Sequence, residues 1–290
     1  MSKIIILTDS CCDLPKETIE ELGIKVLPFT LTVNGESFRE IFDKSTQEVY
    51  DLMAKTDEIP KHSQISPITF EETYKELFEQ GYTDIISVSI NSQGSGTYNN
   101  SILAKNDFFE NNPEAKDKIR IYNIDSKCYT LFYGYPIMES AKKIRKGAKV
   151  EEIIAYLEDW FNVCGIYAVP YNLKYAKKSG RVSAAKAFAG ELLGLKPVIL
   201  FGDGTTETID KIRGEKNIVS KLVDIVEKNM TPQTPYIMLH GRDDTIAREI
   251  EKDLVKRTGR KAEMYGRIGA VVSANIGADI VGIIVRRKNK

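Results

Sequence analysis

The stretch IIILTDSCCDLPKETIEEL, residues 4–22, decides the fold class because it contains a strand, a turn and a helix in succession. Ile4–Thr8 is an apolar run rich in β-forming residues, and Lys16–Leu22 has helical character. Between them, Asp13 and Pro15 form a helix-start signature, in which a capping carboxylate precedes a proline in the first turn. A strand that leads directly into a helix is the unit from which parallel sheets are built.

The same alternation continues through the first half of the chain. Strands that alternate with helices predict parallel βαβ units with right-handed crossovers and helices on both faces of the sheet. We therefore predict an N-terminal α/β domain with a Rossmann-like parallel sheet over residues 1–163. Its further predicted elements are a strand at Ile24–Val33, a strand at Thr83–Ile90 before a helix from Thr97, and a strand at Arg120–Ile124 before a helix at Leu131–Arg145.

The second half has a different pattern, in which hairpins are mixed with helices. Gly202-Asp203-Gly204 is a strong hairpin turn between two strand-like runs. This mixture predicts a C-terminal domain of two-layer α+β type over residues 164–290. The predicted strands are Ile166–Pro170, Pro197–Phe201, Thr205–Ile212, Pro235–His240, Ala262–Ile268 and Ile280–Arg286, and the predicted helices are Ala184–Leu193, Asn217–Asn229 and Thr245–Thr258.

Composition excludes several classes of protein. The chain has 290 residues, with 41 Lys and Arg against 41 Asp and Glu, so its formal net charge is zero. A general nucleic-acid binder would show a basic excess, which is missing here. The sequence contains no run near the roughly 20 apolar residues of a membrane span. The N-terminus has no signal-peptide layout, and we therefore expect a cytoplasmic location.

Cysteine and histidine usage argues against a metal site. None of the four cysteines belongs to a C-x-x-C pair, and the chain has only two histidines, His62 and His240. We therefore expect no metal and interpret the cysteines as small core residues. Asp9, Asp13 and Asp125 follow predicted strands or precede helices, and we interpret them as helix caps rather than catalytic carboxylates.

Short polar residues follow three predicted strands, and such strand ends form the ligand-binding edge of an open parallel sheet. The segment Ser92–Thr97 is the most informative, because its glycines allow close approach and the following helix presents N–H groups and a positive dipole end. These features predict an anion site, although Ser and Thr also cap helices routinely. The segment lacks Lys and Arg, and neither phosphate-binding glycine motif is present, so a carboxylate fits better than a nucleotide.

Two further segments are candidates with plainer alternatives. His62-Ser63-Gln64 lies in a predicted loop and could contribute to a site or be a solvated surface. The basic segment Tyr175–Ser183 could form a positive patch for an acidic partner or an anionic membrane surface, or be a solvated loop.

Together these motifs resemble the DegV family of bacterial fatty-acid-binding proteins, and the resemblance covers nearly the whole chain. Each motif alone is weak, but they appear in the family's order. They are Thr8-Asp9-Ser10 with Asp13-Leu14-Pro15, Ser63-Gln64, Ser95-Gly96-Thr97-Tyr98, Asp125-Ser126-Lys127, Ser179-Gly180-Arg181-Val182-Ser183, Leu195-Lys196-Pro197-Val198 and Lys211-Ile212-Arg213-Gly214.

The resemblance implies a two-domain protein that holds a long-chain fatty acid in a tunnel between its domains and needs no cofactor. It implies a non-catalytic carrier, which presents the bound acid to a separate fatty acid kinase for acyl-phosphate formation and phospholipid synthesis. The residues expected around the carboxylate are His62, Ser63, Ser95, Gly96, Thr97 and Asn275. The residues expected to contact the partner are Lys177, Lys178, Arg181 and Arg213, and transient contact with an anionic membrane is a further expectation.

Two departures from the family pattern concern the head-group site. His62 stands where the family usually has threonine, and Asn275 stands where the family has a histidine. We hypothesise that the imidazole has moved, so that His62 supplies the donor that position 275 lacks. The alternatives are a different ligand or loss of the kinase-coupled role.

Other functions stay open from the sequence. One is a cleft enzyme, a phosphotransferase or hydrolase related to dihydroxyacetone-kinase-like folds, and another is a lipid-sensing adaptor. A lipid is favoured over a small acid because about fourteen buried methylenes contribute roughly 11 kcal/mol before entropy costs. Residues that could line such a tunnel include Phe188, Leu192, Leu193 and Ile276.

Overall fold

The structure, a computed structural model, describes residues 2–56, 58–186 and 194–288. Strands and helices alternate through the first half, residues before 164, as the sequence predicts. In chain order its elements are β1 (Ile4–Asp9), α1 (Lys16–Leu22), β2 (Lys25–Leu27), β3 (Thr30–Val33), β4 (Glu36–Arg39), α2 (Thr46–Ala54), β5 (Lys61–Ser63), α3 (Pro67–Glu79), β6 (Asp84–Ser89), α4 (Thr97–Asn111), β7 (Arg120–Asp125), α5 (Leu131–Arg145) and α6 (Val150–Val163).

A four-stranded parallel sheet in the order β2-β1-β6-β7 organises this half. Every residue of β6 is buried, as expected for a parallel strand covered on both faces. Helix α3 packs against α4, and α5 packs against α1 and β1. The predicted α/β architecture with a parallel sheet is confirmed.

The prediction of one strand over Ile24–Val33 is wrong. The chain forms β2 and β3 instead, separated by Pro28 and Phe29, and the two strands belong to different sheets. Proline lacks the N–H that a ladder needs, which favours a break at this point. Strand β3 pairs antiparallel with β4 and β5, and this pairing places His62 opposite Leu31.

The second half is built on a six-stranded mixed sheet in the order β10-β9-β8-β13-β11-β12, which confirms the predicted α+β type. The predicted helix at Ala184–Leu193 is described only to Lys186, and Phe188, Leu192 and Leu193 lie outside the described residues. The elements are β8 (Cys164–Pro170), α7 (Lys174–Ser179), α8 (Ser183–Lys186), β9 (Leu195–Gly202), β10 (Thr205–Arg213), α9 (Ile218–Asn229), β11 (Tyr236–His240), α10 (Thr245–Thr258), β12 (Met264–Arg267), α11 (Ala270–Ile276) and β13 (Ile280–Arg286).

The predicted hairpin between β9 and β10 is confirmed. Asp203 and Gly204 have φ values of 56° and 78°, the left-handed conformation that a tight hairpin turn requires. The division of the chain into domains 1–163 and 164–290 stays a prediction, although each main sheet is formed by strands from one side of that division.

The two faces of the six-stranded sheet have different neighbours, because successive side chains of a strand point to opposite faces. One face packs against α9 and α10 in a separate apolar cluster that includes Tyr167, Val169, Val281 and Ile283. The other face looks toward the first half of the chain and belongs to the larger core cluster. Its residues include Ile166, Ala168, Ile199, Phe201, Leu239, Ile280 and Ile284.

Asp13 does not cap α1, contrary to the sequence prediction. The residue before α1 is Pro15, which makes no side-chain capping bond. Asp13 has a φ of 54°, and its Oδ2 accepts a hydrogen bond from the N–H of Gly269 at 2.8 Å, immediately before α11. The left-handed turn at Asp13 thus directs the carboxylate to a helix more than 250 residues away in sequence.

The other two predicted caps also differ in detail. Asp9 caps the short 3₁₀ turn Ser10–Cys12, and its Oδ1 accepts the N–H of Cys11 at 3.1 Å. Asp125 caps no helix among the described residues, because its Oδ1 accepts the N–H groups of Ser92 and Lys127 in neighbouring loops. The four cysteines are buried and unpaired, which confirms their interpretation as core residues. In the described parts of the chain, no helix combines the length and apolarity needed to cross a bilayer.

Candidate functional site

An apolar cavity lies between the inner face of the six-stranded sheet, α11 and the first half of the chain. It contains about 710 Å³ of space free of protein atoms, part of which opens to solvent. Its apolar lining residues include Phe29, Ile90, Ile166, Ala168, Val182, Phe201, Leu239, Ile268, Val271, Val272, Ile276, Ile280 and Gly282.

The cavity adjoins a polar cleft of about 1,590 Å³. Four loops line this cleft, at residues 62–64, 92–96, 180–183 and 204–206. Residues common to the apolar cavity and the polar cleft mark the place where the two meet, which we call the mouth. They are His62, Gly94, Ser95, Tyr129 and Arg181.

The structure brings most of the predicted head-group residues together. His62, Ser95 and Asn275 line the cavity, while Ser63 and Gly96 line the cleft beside it. Thr97 is fully buried, and its Oγ1 lies 2.9 Å from Oγ of Ser95. Thr97 therefore reaches the site through Ser95 rather than directly.

Several backbone N–H groups at the start of α4 and in the loop before it are already hydrogen-bonded within the protein. The N–H of Gly96 bonds to Oε1 of Gln64 at 3.0 Å, and the N–H of Thr97 bonds to Oγ of Ser95 at 3.3 Å. The N–H groups of Gly94 and Ser95 both bond to the carbonyl of Asn91, at 3.0 and 3.1 Å. The N–H groups of these four residues, Gly94 to Thr97, are therefore already engaged by protein acceptors.

His62 and Asn275 form a direct pair. Nδ2 of Asn275 lies 3.0 Å from Nε2 of His62 and also donates to the carbonyl of Val271 at 2.8 Å. The second bond orients the amide, so that Nε2 of His62 is the acceptor and the imidazole proton resides on Nδ1. The two positions at which this chain departs from the family pattern are therefore in contact.

The imidazole of His62 is held neutral. Burial lowers its pKa, the bond with Asn275 partly opposes this, and the positive charge of Arg181 lowers the pKa further. The ring also packs edge-on against Phe29, with 6.2 Å between the ring centres. At the mouth, the surroundings of His62 therefore favour the neutral imidazole.

Tyr129 and Arg181 complete the mouth. The Tyr129 hydroxyl accepts a hydrogen bond from Nδ2 of Asn91 at 3.1 Å, which leaves its own proton available to a ligand. Burial raises the pKa of Tyr129 to about 12, so the phenol stays protonated. A Cβ at Gly94 would lie 2.5 Å from the same hydroxyl oxygen, so glycine is required there. Arg181 is exposed and donates to the carbonyl of Ser179 at 3.1 Å.

Side chains of the first half fix the wall formed by α11. Oε1 of Glu40 accepts the N–H of Val271 at 2.8 Å, and Oε2 accepts the hydroxyl of Ser10 at 2.6 Å. Burial raises the pKa of Glu40, while these hydrogen bonds lower it. Tyr50 lies 2.8 Å from Oγ of Ser273 and donates to the carbonyl of Ile268. Helix α11, which carries Asn275, is therefore anchored directly to the first half of the chain.

The predicted partner-binding residues are not all in one place. Lys177 and Lys178 are exposed on α7, four and three residues before Arg181 at the mouth. Arg213 ends β10, whose first residue, Thr205, lines the cleft. At ~3.3 Å per residue, Arg213 lies about 26 Å along the strand from Thr205.

The sequence did not identify several residues that the structure places at the mouth or directly behind it. Arg181 was assigned to a partner patch, although its family-like motif was a signal for a functional position. Tyr129 and Asn91 gave no local signal, because their roles depend on contacts between distant loops. His240 lies outside the described lining of the cavity and cleft. The described residues contain no group of three or more His, Cys, Asp or Glu that could hold a metal ion.

Comparisons with known proteins agree with this geometry. A family model described as "Uncharacterised protein, DegV family" matches residues 3–288. A DegV domain-containing protein of Clostridium acetobutylicum is 30% identical over 99% of this chain and 100% of its own length, and one of Clostridium perfringens is 29% identical over 98% and 99%.

Two similar solved structures are described as fatty-acid-binding proteins. A stearic-acid-binding protein from Eubacterium ventriosum matches with a TM-score of 0.86 and 25% identity, over 99% of both chains. DegV from Bacillus subtilis, described as a fatty acid binding protein, matches with a TM-score of 0.82 and 26% identity, over 98% of this chain and 99% of its own.

Proposed function

The chain belongs to the DegV family, and from that premise we propose that it binds one long-chain fatty acid with its carboxylate at the mouth. One observation carries the proposal: an apolar cavity ends at a cluster of polar side chains. The relatives from Eubacterium ventriosum and Bacillus subtilis, described as binding stearic acid and fatty acid respectively, support this ligand class.

In this proposal, side chains hold the carboxylate. Ser95, His62 and Tyr129 each offer a neutral donor, and Arg181 adds a positive charge at the edge of the cleft. Thr97 positions the Ser95 hydroxyl, and Asn275 fixes the tautomer of His62. The His62–Asn275 contact supports the hypothesis that the imidazole has moved from position 275 to position 62.

The tail supplies most of the affinity. About fourteen buried methylenes contribute roughly 11 kcal/mol before entropy costs, and the walls that receive them are apolar. Hydrogen bonds to the carboxylate give less net free energy, because desolvation of the charge offsets much of the gain. The head group therefore sets the direction of the ligand.

We further propose that the protein is a carrier without catalysis of its own, which presents the carboxylate to a separate fatty acid kinase in the cytoplasm. The proposal rests on the family resemblance and on the position of the mouth, which faces the open polar cleft. Exposed Lys177 and Lys178 beside Arg181 suit a partner with an acidic surface or an anionic membrane.

Extraction of the purified protein tests the proposal. The protein is denatured and extracted, and the extract is analysed by mass spectrometry for free fatty acids. We expect close to one long-chain acid per protein molecule. The stripped protein is then titrated with hexadecanoic acid and with 1-hexadecanol, and tighter binding of the acid is expected. Absence of acyl chains, together with no binding of hexadecanoic acid, would refute the proposal.

A further inference from the structure

Asn91 occupies a central position behind the mouth. It lies two residues after the end of β6 and is 1% exposed. Its Nδ2 donates to the hydroxyl of Tyr129 at 3.1 Å and to the carbonyl of Gly204 at 3.0 Å. Its Oδ1 accepts the N–H of Gln93 at 3.0 Å. Both amide protons and one oxygen lone pair are therefore engaged.

The backbone of Asn91 shapes the same region. Its carbonyl accepts the N–H groups of Gly94 and Ser95, and its own N–H donates to the carbonyl of Cys128 at 3.0 Å. The side-chain and backbone bonds together fix the turn at residues 91–95. That turn determines where the Ser95 hydroxyl stands.

The partners of the Asn91 side chain come from three separate segments that line the polar cleft. Gln93 belongs to the loop that carries Ser95, Tyr129 precedes α5, and Gly204 lies in the turn between β9 and β10. The Gly204 N–H also bonds to the carbonyl of Lys127 at 2.9 Å, so this turn of the second half is docked on the first half. Among the described residues, the hydrogen bonds of the Asn91 side chain reach Tyr129 at the mouth and do not involve the apolar residues that line the cavity.

We propose that Asn91 is a positioning residue for head-group recognition. It holds Ser95 and Tyr129 so that both can donate to a ligand carboxylate, and it acts through them without touching the ligand. Charge-assisted hydrogen bonds depend steeply on distance and angle, so a small displacement of these donors weakens them. This inference rests on the proposed binding of a fatty acid at the mouth.

A comparison of two asparagine variants tests the inference. Asn91→Ala removes the bonds to Tyr129, Gly204 and Gln93. Its matched control is Asn123→Ala in β7, because Nδ2 of Asn123 likewise donates two bonds, to the hydroxyls of Tyr74 at 2.9 Å and Ser101 at 3.0 Å. Dissociation constants are measured for hexadecanoic acid and for 1-hexadecanol, which has the same tail length and no carboxylate.

For Asn91→Ala we expect the affinity for the acid to fall about tenfold, while the affinity for the alcohol stays within about twofold. For Asn123→Ala we expect the ratio of the two affinities to match that of the wild type. A general loss of stability would change both ligands alike, so the ratio separates positioning from a merely structural role.

If Asn91→Ala has the same ratio of acid affinity to alcohol affinity as the wild type, the inference is overturned. The proposed function would remain intact. A wild-type protein that binds no acid would instead refute the proposed function itself. Should Asn91→Ala fail to fold, Asn91→Ser gives the same decision. Its short hydroxyl can still accept the Gln93 N–H but cannot span to Tyr129 and Gly204, so a reduced ratio is again expected.

Discussion

The interior of the cavity and its mouth are built by different means. The interior consists of one face of a six-stranded sheet and of α11, and its residues are apolar because alternate positions of each strand point inward. The mouth consists of residues from distant parts of the chain, four in loops and His62 in β5, which side-chain hydrogen bonds connect to their surroundings. The difference indicates that affinity for the tail and selectivity for the head group can be changed separately.

The length of the ligand should have the largest effect, because it acts on the interior alone. Hexadecanoic acid has six more methylenes than decanoic acid, which is worth about 5 kcal/mol, or roughly three orders of magnitude in Kd. Competition against a fluorescent fatty acid measures this difference. Equal affinity for the two acids would show that the interior does not receive the tail.

Filling the interior should have the next largest effect. Ala168 faces the cavity from the centre of the sheet, and Ala168→Leu adds three carbon atoms to the wall. We expect a loss of roughly 2 kcal/mol, about 30-fold in Kd for hexadecanoic acid, because the side chain displaces methylenes of the tail. The ratio of acid to alcohol affinity should stay unchanged.

The matched control for Ala168→Leu is Val169→Ile, which enlarges the opposite face of the same strand. We expect this control to bind hexadecanoic acid with the wild-type affinity. An Ala168→Leu protein that changes the acid-to-alcohol ratio would show that interior and mouth are not separable.

Removal of a head-group donor should have a smaller effect that is confined to the acid. Ser95→Ala removes one hydroxyl from the mouth, and we expect about a tenfold loss of affinity for hexadecanoic acid. The affinity for 1-hexadecanol should change less than about threefold in isothermal titration. Ser220→Ala on the exposed surface of α9 is the control. Equal losses for both ligands would refute the assignment of Ser95 to the carboxylate.

The pH dependence should be the smallest effect. Since burial lowers the pKa of His62 from its usual 6.5, the neutral imidazole predominates in the folded protein between pH 8 and 6.5. We therefore expect the Kd for the acid to vary less than about twofold over this range. Binding that strengthens as the pH falls toward 6.5 would indicate a charged His62 instead.

The lowered pKa of His62 also makes the stability of the folded protein depend on pH, in the range below about pH 6.5. A lowered pKa means that the unfolded chain binds the proton more readily, so the stability contributed by neutral His62 is complete above about pH 6.5 and lost as the pH falls below it. When the pH is lowered below about 6.5, the free energy of unfolding, measured with denaturant, should therefore fall less in His62→Ala than in the wild type. The same variant should bind hexadecanoic acid severalfold less tightly, and wild-type affinity would refute the relocated imidazole.

Local patterns predicted much of the fold. The β1–α1 unit, the β9–β10 hairpin and strand β13 follow from apolar periodicity and turn residues, which depend on neighbours in sequence. The prediction of a site beyond the ends of the parallel strands rested on such patterns as well. His62, Ser95 and Asn275 were found through the family resemblance, and the structure places all three on the cavity.

Contacts between distant segments account for what the sequence did not predict. From its neighbours in sequence, Asp13 is predicted to cap α1. Its carboxylate instead accepts a hydrogen bond from the N–H of Gly269, which is 256 residues away in sequence. Likewise, the N–H of Gly96 donates to the side chain of Gln64, which is 32 residues away in sequence. The side chain of Asn91 donates to the carbonyl of Gly204, which is 113 residues away. Such pairings depend on how loops meet in three dimensions, which helix and strand periodicity do not encode.

A crystal structure of the protein with hexadecanoic acid tests the central claim most directly. We predict the carboxylate within hydrogen-bond distance of Ser95 Oγ and beside His62, with the alkyl chain against Ala168 and the inner side of α11. An acid bound in the reverse direction, with its carboxylate among the apolar residues, or bound elsewhere with the cavity closed, would contradict the account.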